Sequence, residues 1–503
     1  MKGITRKGKD MKRKRFVKYT VGLACLTGVM LFTGCSTTKN EADTSLVGND
    51  IVEPSTVEQT NYEGTKIDLL DDGILVDGSA VSTDSSEAVY AGADIIYYEE
   101  NQGETYGEGN ESEEHSAQEA AQNTVVTITR PGTYVVSGTL SVGQIAIDLG
   151  EDAEDDENAV VNLVLDNANI TCDIAPAILV YNVYECGSDD VESASKDVNT
   201  EKAGFNLIIA DGSDNTITGS HVAKIFKEGT TAEEIANDTA KKAHKYDAAI
   251  ESKQSFNING GVAGDGKLTV FADNEGIESR LHMTINGGNL IVNANDDSLN
   301  AGEDGVSVIT INGGVITCDS GYGDGDEGDG IDSNGWIVVN DGYLIACANA
   351  KSQDSGVDSD NGIYINGGTV LASGHMYDEV AEDSLQKFMV MTFDEDIKEN
   401  EIVLITDTEE NAVSAFSAVN DYNIVVYSCP ELTDDDYNLY KVSAVTGELN
   451  GSIYTNITDY KDAVPLQYAS GGMRGFGSGK MPGADGERPE MPEGERPELP
   501  TIN

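Results

Sequence analysis

Basic side chains are scarce in this chain: 31 Lys and Arg stand against 89 Asp and Glu, a formal net charge of −58. Nine of the basic residues and one Asp fall within residues 1–34, so the remainder carries 22 basic and 88 acidic side chains. That excess excludes a nucleic-acid backbone or an anionic membrane face as the main partner. Tryptophan occurs once, and aromatic residues make up 6% of the chain. Seven Cys show no Cys-x-x-Cys spacing, which argues against a zinc site and a disulfide framework. The five His lack metal-pair spacing, and neither a nucleophile elbow nor a phosphate loop is present. The apolar run Val21 to Phe32 rises about 18 Å as a helix, short of the roughly 30 Å needed to span a bilayer. What is present, 39% hydrophobic residues, suffices for a sizeable core.

A basic stretch from Lys2 to Lys18 precedes that apolar run, which ends Leu31-Phe32-Thr33-Gly34-Cys35. The ending resembles a bacterial lipobox, with Phe32 where an aliphatic residue is usual. Residues 1–34 therefore read as a lipoprotein signal peptide and Cys35 as the lipid-attachment site. The resemblance implies anchoring at the extracellular face of the cell membrane, since two acyl chains hold a protein stably. Residues 35–64, rich in Ser, Thr, Asn and Glu, read as a flexible tether.

From about residue 250 the sequence repeats. Asn-Gly-Gly occurs at 259–261, 286–288, 312–314 and 366–368, with Asn340-Asp341-Gly342 as a variant. A short alternating strand precedes each turn, as in Met283-Thr284-Ile285 and Ile309-Thr310-Ile311, and a second one follows. Its inward columns would be Leu290, Ile316, Leu344, Val370 and Val292, Cys318, Ala346, Ala372. No single repeat can bury its own apolar face, so the repeats must stack. The expected fold is all-β, a right-handed parallel β-helix over residues 65–384. Helical insertions are expected at Glu111–Gln122 and Thr231–Lys245. A small β cap over 385–470 would close the open end, and a Gly/Pro-rich tail, 471–503, reads as disordered. The turn Asn residues need no ligand: they tolerate the left-handed conformation, Gly follows to supply positive φ, and stacked amides can hydrogen-bond along the coil. Cys172 and Cys318 read as small buried hydrophobes.

A second register runs inside the repeat. Glu251, Glu278, Asp332 and Asp358 each stand eight residues before a turn Asn, preceded by Ile or Val and followed by Ser; Asn300 takes the place in the remaining repeat. With Ile and Ser facing in, the acids face out and stack. At an effective dielectric of about 20, neighbouring charges about 4.8 Å apart repel by roughly 3–4 kcal/mol. Asp273, Glu275, Asp296, Asp297, Asp329 and Asp354 add to the rows, while residues 250–384 offer only Lys253, Lys267, Arg280 and Lys351 as cations. Raised carboxylate pKa values, basic partners or a bound metal could relieve the strain. All-oxygen surroundings suit Ca2+; solvated acid rows are the alternative. Residues 324–332 carry Gly and Asp in the wrong order for an EF-hand loop.

For a polysaccharide partner the candidate platforms are Trp336, Tyr343 and Tyr364, with Ile95-Ile96-Tyr97-Tyr98 adding two more tyrosines. A calcium-dependent lyase is the enzymatic alternative, with Lys253 and Arg280, in equivalent positions one repeat apart, as bases. A structural spacer without a glycan ligand is the third reading. The chain is expected to be monomeric.

Several segments carry a more specific likeness: Gly132-Thr133-Tyr134-Val135-Val136-Ser137-Gly138, Asp211-Gly212-Ser213-Asp214-Asn215-Thr216, Asn274-Glu275-Gly276-Ile277-Glu278-Ser279, Gly330-Ile331-Asp332-Ser333 and Ser428-Cys429-Pro430. Over roughly residues 65–470 the chain resembles the clostridial carbohydrate-binding domain family of β-helix lipoproteins. That resemblance implies a pectate-lyase-like coil, calcium held in its turns, and binding of plant polysaccharide such as polygalacturonate or cellulose without cleavage.

Overall fold

A computed structural model describes residues 62–93, 95–97, 115–226, 231–232, 234, 242–323 and 325–471. All belong to the unit Val57–Asn503. The signal peptide, Cys35, nearly all of the tether and the tail beyond 471 lie outside them.

The described chain is nearly all β. Its repeats build three sheet faces. Ala248–Ser252, Glu275–Ser279, Leu299–Ala301, Ile331–Ser333 and Val357–Ser359 form the first; Phe256–Gly260, His282–Ile285, Val308–Ile311, Trp336–Val339 and Gly362–Ile365 the second; Lys267–Ala272, Asn289–Ala294, Val315–Ser320, Tyr343–Cys347 and Thr369–Gly374 the third. Each strand pairs in parallel with its counterpart one repeat on, so Ile277 lies beside Leu299, then Ile331, then Val357. The chain passes through three faces before meeting itself again, the connectivity that a parallel coil generates. The forecast inward columns stand in register: Leu290, Ile316, Leu344 and Val370, and Val292, Cys318, Ala346 and Ala372. All eight are buried, with Cys172, in one continuous core. Burying a Val, Leu or Ile side chain stabilises by about 1.5–3 kcal/mol, and here the covering atoms come from neighbouring repeats.

The asparagines form the expected ladder. Asn286 donates from Nδ2 to Asn259 Oδ1 (3.0 Å), and Asn312, Asn340 and Asn366 each donate to the preceding Asn at 2.9 Å. None of the five has a positive φ; the glycine expected to supply it does so at Gly288, Gly314, Gly342 and Gly368, with φ 97° at Gly314. Toward the amino terminus irregular coils continue the stack: Gly143–Asp148 and Ile178–Asn182 extend the first face, and Thr65–Leu69 pairs in parallel with Gly132–Leu140.

The insertions depart from expectation. Among the described residues of the first, Ala117–Ala120 is helical, opened by a Ser116–Glu119 capping box. Thr231 and Glu234 make their reciprocal capping bonds, but Lys242–Tyr246 is a strand antiparallel to Val222–Phe226.

The C-terminal region does more than cover an end. Tyr422–Ser428 pairs antiparallel with Thr369–Gly374 and terminates the parallel stacking. A six-stranded antiparallel sheet follows within 402–466. Ile345, Cys347 and Leu371, which point away from the coil core, are buried in a second core with Met391, Phe393, Tyr422 and Tyr427. Asn420 Nδ2 reaches Asp319 Oδ1 and the carbonyls of Ser320 and Ala348 at 3.0–3.1 Å. The region is therefore clamped along the outer side of the third face.

Candidate functional site

The first face carries the acids. Parallel pairing sets Glu251 beside Glu278, Glu278 beside Asn300, Asn300 beside Asp332, and Asp332 beside Asp358. Adjacent side chains in such a column are about 4.8 Å apart. Ile250, Ile277, Leu299, Ile331 and Val357 point into the core, which sends the column to the opposite side of the sheet. Exposure does not follow: Glu251 and Glu278 are each 3% accessible, whereas Asp332 and Asp358 are half-buried.

A second row explains the cover. Two residues before the inward apolar residues stand Ala248, Glu275, Asp297, Asp329 and Ser355, and one residue earlier come Asp247, Asn274, Asp296, Gly328 and Asp354. Backbone amides hold these side chains in place: Asp329 N–H donates to Asp297 Oδ1, Ser355 N–H to Asp329 Oδ1 and Gly328 N–H to Asp354 Oδ2, each at 2.7 Å. Asp247, Glu275 and Glu278, all buried, present carboxylate oxygens within 4.8 Å of one another. Asp247 escaped sequence reasoning because the same position is Asn274 and Gly328 in other repeats, so no acidic period marks it.

Several of these carboxyls are pushed up together. Burial pushes the Glu251 carboxyl well above the usual range, and the Glu278, Asp247 and Glu275 charges push it further. Asp297 is raised by burial and by Asp329, Asp332, Asp296 and Glu275. Asp329 and Asp358 are raised by burial and neighbouring aspartates. Asp378 is pushed up to about 6, mainly by burial and in part by Asp358. Glu251 Oε2 and Asn300 Oδ1 are buried without a hydrogen-bond partner, which ordinarily costs about 1–3 kcal/mol each. Orphaned oxygens among closely spaced carboxylates and an amide fit a hard divalent cation that takes six to eight oxygen ligands.

The other candidates separate. Asp273 stands off the rows, accepting from Ser220 Oγ (2.6 Å) and His221 N–H (3.1 Å). Trp336 and Tyr364 share the second face, where Trp336 is half-buried and Lys196 Nζ sits 5.0 Å from the Tyr364 ring centre. Tyr343, on the third face, packs against the C-terminal core. The three therefore make no common platform. Arg280 Nε is bound to Glu303 Oε2 at 3.0 Å, and Lys253 Nζ lies 5.9 Å from the Tyr246 ring centre.

Two clefts accompany these elements. A polar one of about 520 Å3 runs between Val198–Glu201 and the asparagine ladder; its floor includes buried Asn257 and Thr284, which Thr200 bridges through its hydroxyl at 2.7 Å to each. A smaller one of about 200 Å3 lies among Tyr90, Tyr181 and Asp148.

The chain is similar in sequence to known proteins. A carbohydrate-binding domain-containing protein of Acetivibrio thermocellus is 33% identical over 170 residues, 34% of this chain and 45% of that relative, so the match spans less than half of the relative's length. A solved polysaccharide lyase-like protein from C. thermocellum, a gadolinium derivative, is 21% identical with a TM-score of 0.33, covering 61% of this chain and 93% of that one. The sequence pattern of the carbohydrate-binding domain-containing proteins matches residues 122–426, more than half of the chain. The chain belongs to the carbohydrate-binding domain-containing protein family.

Proposed function

We propose that this protein is a surface lipoprotein, anchored through Cys35, that binds polysaccharide on a calcium-stabilised, right-handed parallel β-helix without cleaving it. Family membership supports the carbohydrate ligand. The observation that carries the calcium is the pair of in-register acid rows on the first face, with Glu251 Oε2 and Asn300 Oδ1 buried and unpartnered. Glu251, Glu278, Asp297, Asp329 and Asp332, with Asp247 and Glu275, are the residues that would hold the ions. Bound cations neutralise the rows, and a half-buried carboxylate at their edge such as Asp358 would bridge through calcium to acidic sugars such as those of polygalacturonate. Lyase chemistry draws no support from the candidate bases, because Arg280 is engaged by Glu303.

Retention on insoluble polygalacturonate and cellulose, measured in calcium and again in EGTA, tests this reading. Expected are retention in calcium, its loss in EGTA, and no unsaturated product. Retention indifferent to EGTA removes the calcium; no retention on any glycan removes the function.

A further inference from the structure

The smaller cleft lies on the same outer side of the first face as the acid column. Thr127, Ala146, Leu179 and Glu251 occupy matching positions on successive strands, which sets Glu251 two strand spacings, roughly 10 Å, from Ala146. Ala146 is the small residue of the row, and the dip above it is walled by Tyr90, Tyr181, Ile96 and Asp148. The Tyr181 ring is held edge-on against buried Tyr246, with centres 5.9 Å apart at 89°, so its orientation is set before any ligand arrives. Asp148 Oδ1 accepts from Gly150 N–H (3.0 Å) and Asn182 Nδ2 (2.8 Å), which fixes the carboxylate and leaves Oδ2 for another donor.

From this geometry we infer that Tyr90, Tyr181, Ile96 and Asp148 form a subsite for one neutral pyranose unit of the polysaccharide. The inference rests on the polysaccharide-binding reading and adds a place and a charge class to it. A sugar ring presents an apolar C–H face to a tyrosine and hydroxyls at its rim, and an ionised carboxylate is a strong acceptor for those hydroxyls. About 200 Å3 is below the usual span of sites for drug-sized ligands, about 300–1,000 Å3, and suits a single ring. Asp148 within the dip repels a uronate, so the acid-sugar contacts belong to the calcium rows and the neutral ring to this subsite.

The test is titration of the full chain, in calcium, with neutral oligosaccharides of glucose, mannose or xylose, beside retention on polygalacturonate. Asp148→Asn keeps the acceptor for Asn182 and replaces the free oxygen; it should weaken the preferred neutral oligosaccharide about tenfold and leave polygalacturonate retention unchanged. Tyr90→Ala should act likewise, with thermal unfolding checking that the fold persists. Wild-type affinity in both variants overturns the subsite. So does a wild-type chain that retains polygalacturonate yet binds no neutral oligosaccharide, an outcome that leaves the proposed function standing. Failure of the wild type with every glycan overturns both.

Discussion

At the residue scale, Glu251 shows how burial and like charge combine. Its carboxyl titrates well above the range it would have in an unfolded chain, as do those of Asp297 and Asp329. Without metal, these groups favour folding fully below the ordinary carboxylate pKa of about 4, and the contribution is lost as pH rises through the raised values. In EGTA the protein should therefore melt at a higher temperature at pH 5 than at pH 7.5. In calcium the order should reverse, because protons then compete with the ion. Glu251→Gln separates the two regimes: at pH 7.5 it should stabilise the EGTA form by on the order of 1–3 kcal/mol, the usual weight of an unsatisfied buried polar group, and destabilise the calcium form. A Gln variant that shifts both melting curves in one direction would refute the metal role. The acidic period itself was legible in the sequence, because stacking turns a fixed offset into a column. Burial was not, since the alternation of Ile, Glu and Ser reports only which side of the sheet a residue takes. The cover comes from Asp247 and Glu275, whose row lacks a repeating residue type.

At the element scale, the asparagine turn divides its labour. Asn312 joins two rungs of the ladder, donating to Asn286 and accepting from Asn340. Asn312→Ala should cost about 1–2 kcal/mol, two ordinary hydrogen bonds partly replaced by water. Gly314→Ala should cost more, about 2–4 kcal/mol, because φ is 97° and the new Cβ would stand 2.7 Å from the Gly288 carbonyl oxygen. Urea unfolding of the two variants checks the order, and an Asn change costlier than the Gly change would contradict it. The Asn-Gly-Gly signal identified these turns from sequence, since each repeat must solve the same corner. It also assigned the left-handed residue, because glycine, with no Cβ, adopts that region at the least cost. For Tyr343, alternation put the ring on the outer side, but nothing local announced that a segment some 50–100 residues later would pack there.

For the whole molecule, period and alternation were enough to reveal a stack of parallel coils, because every repeat faces the same problem of cover. The residues of the Tyr90 cleft were beyond reach of that logic. They come from irregular coils, three separate segments that meet only after the stack has formed. The ends of the stack are also built from particulars. Val89–Gly92 pairs antiparallel with Thr124–Ile128 at one end, and Tyr422–Ser428 closes the third face at the other. Removing residues 385–503 should uncover the Thr369–Gly374 edge and the apolar trio Ile345, Cys347 and Leu371. Light scattering should then show assembly that rises with protein concentration, while the intact chain stays dispersed; a truncated chain that remains dispersed would refute this.

Parallel coils in register template their own continuation, since the last rung of one molecule offers the first rung of another a matching set of amides and carbonyls. Reversing strand direction at both ends makes the outermost rungs unlike any rung within. Those end rungs are therefore poor templates for an open-ended filament.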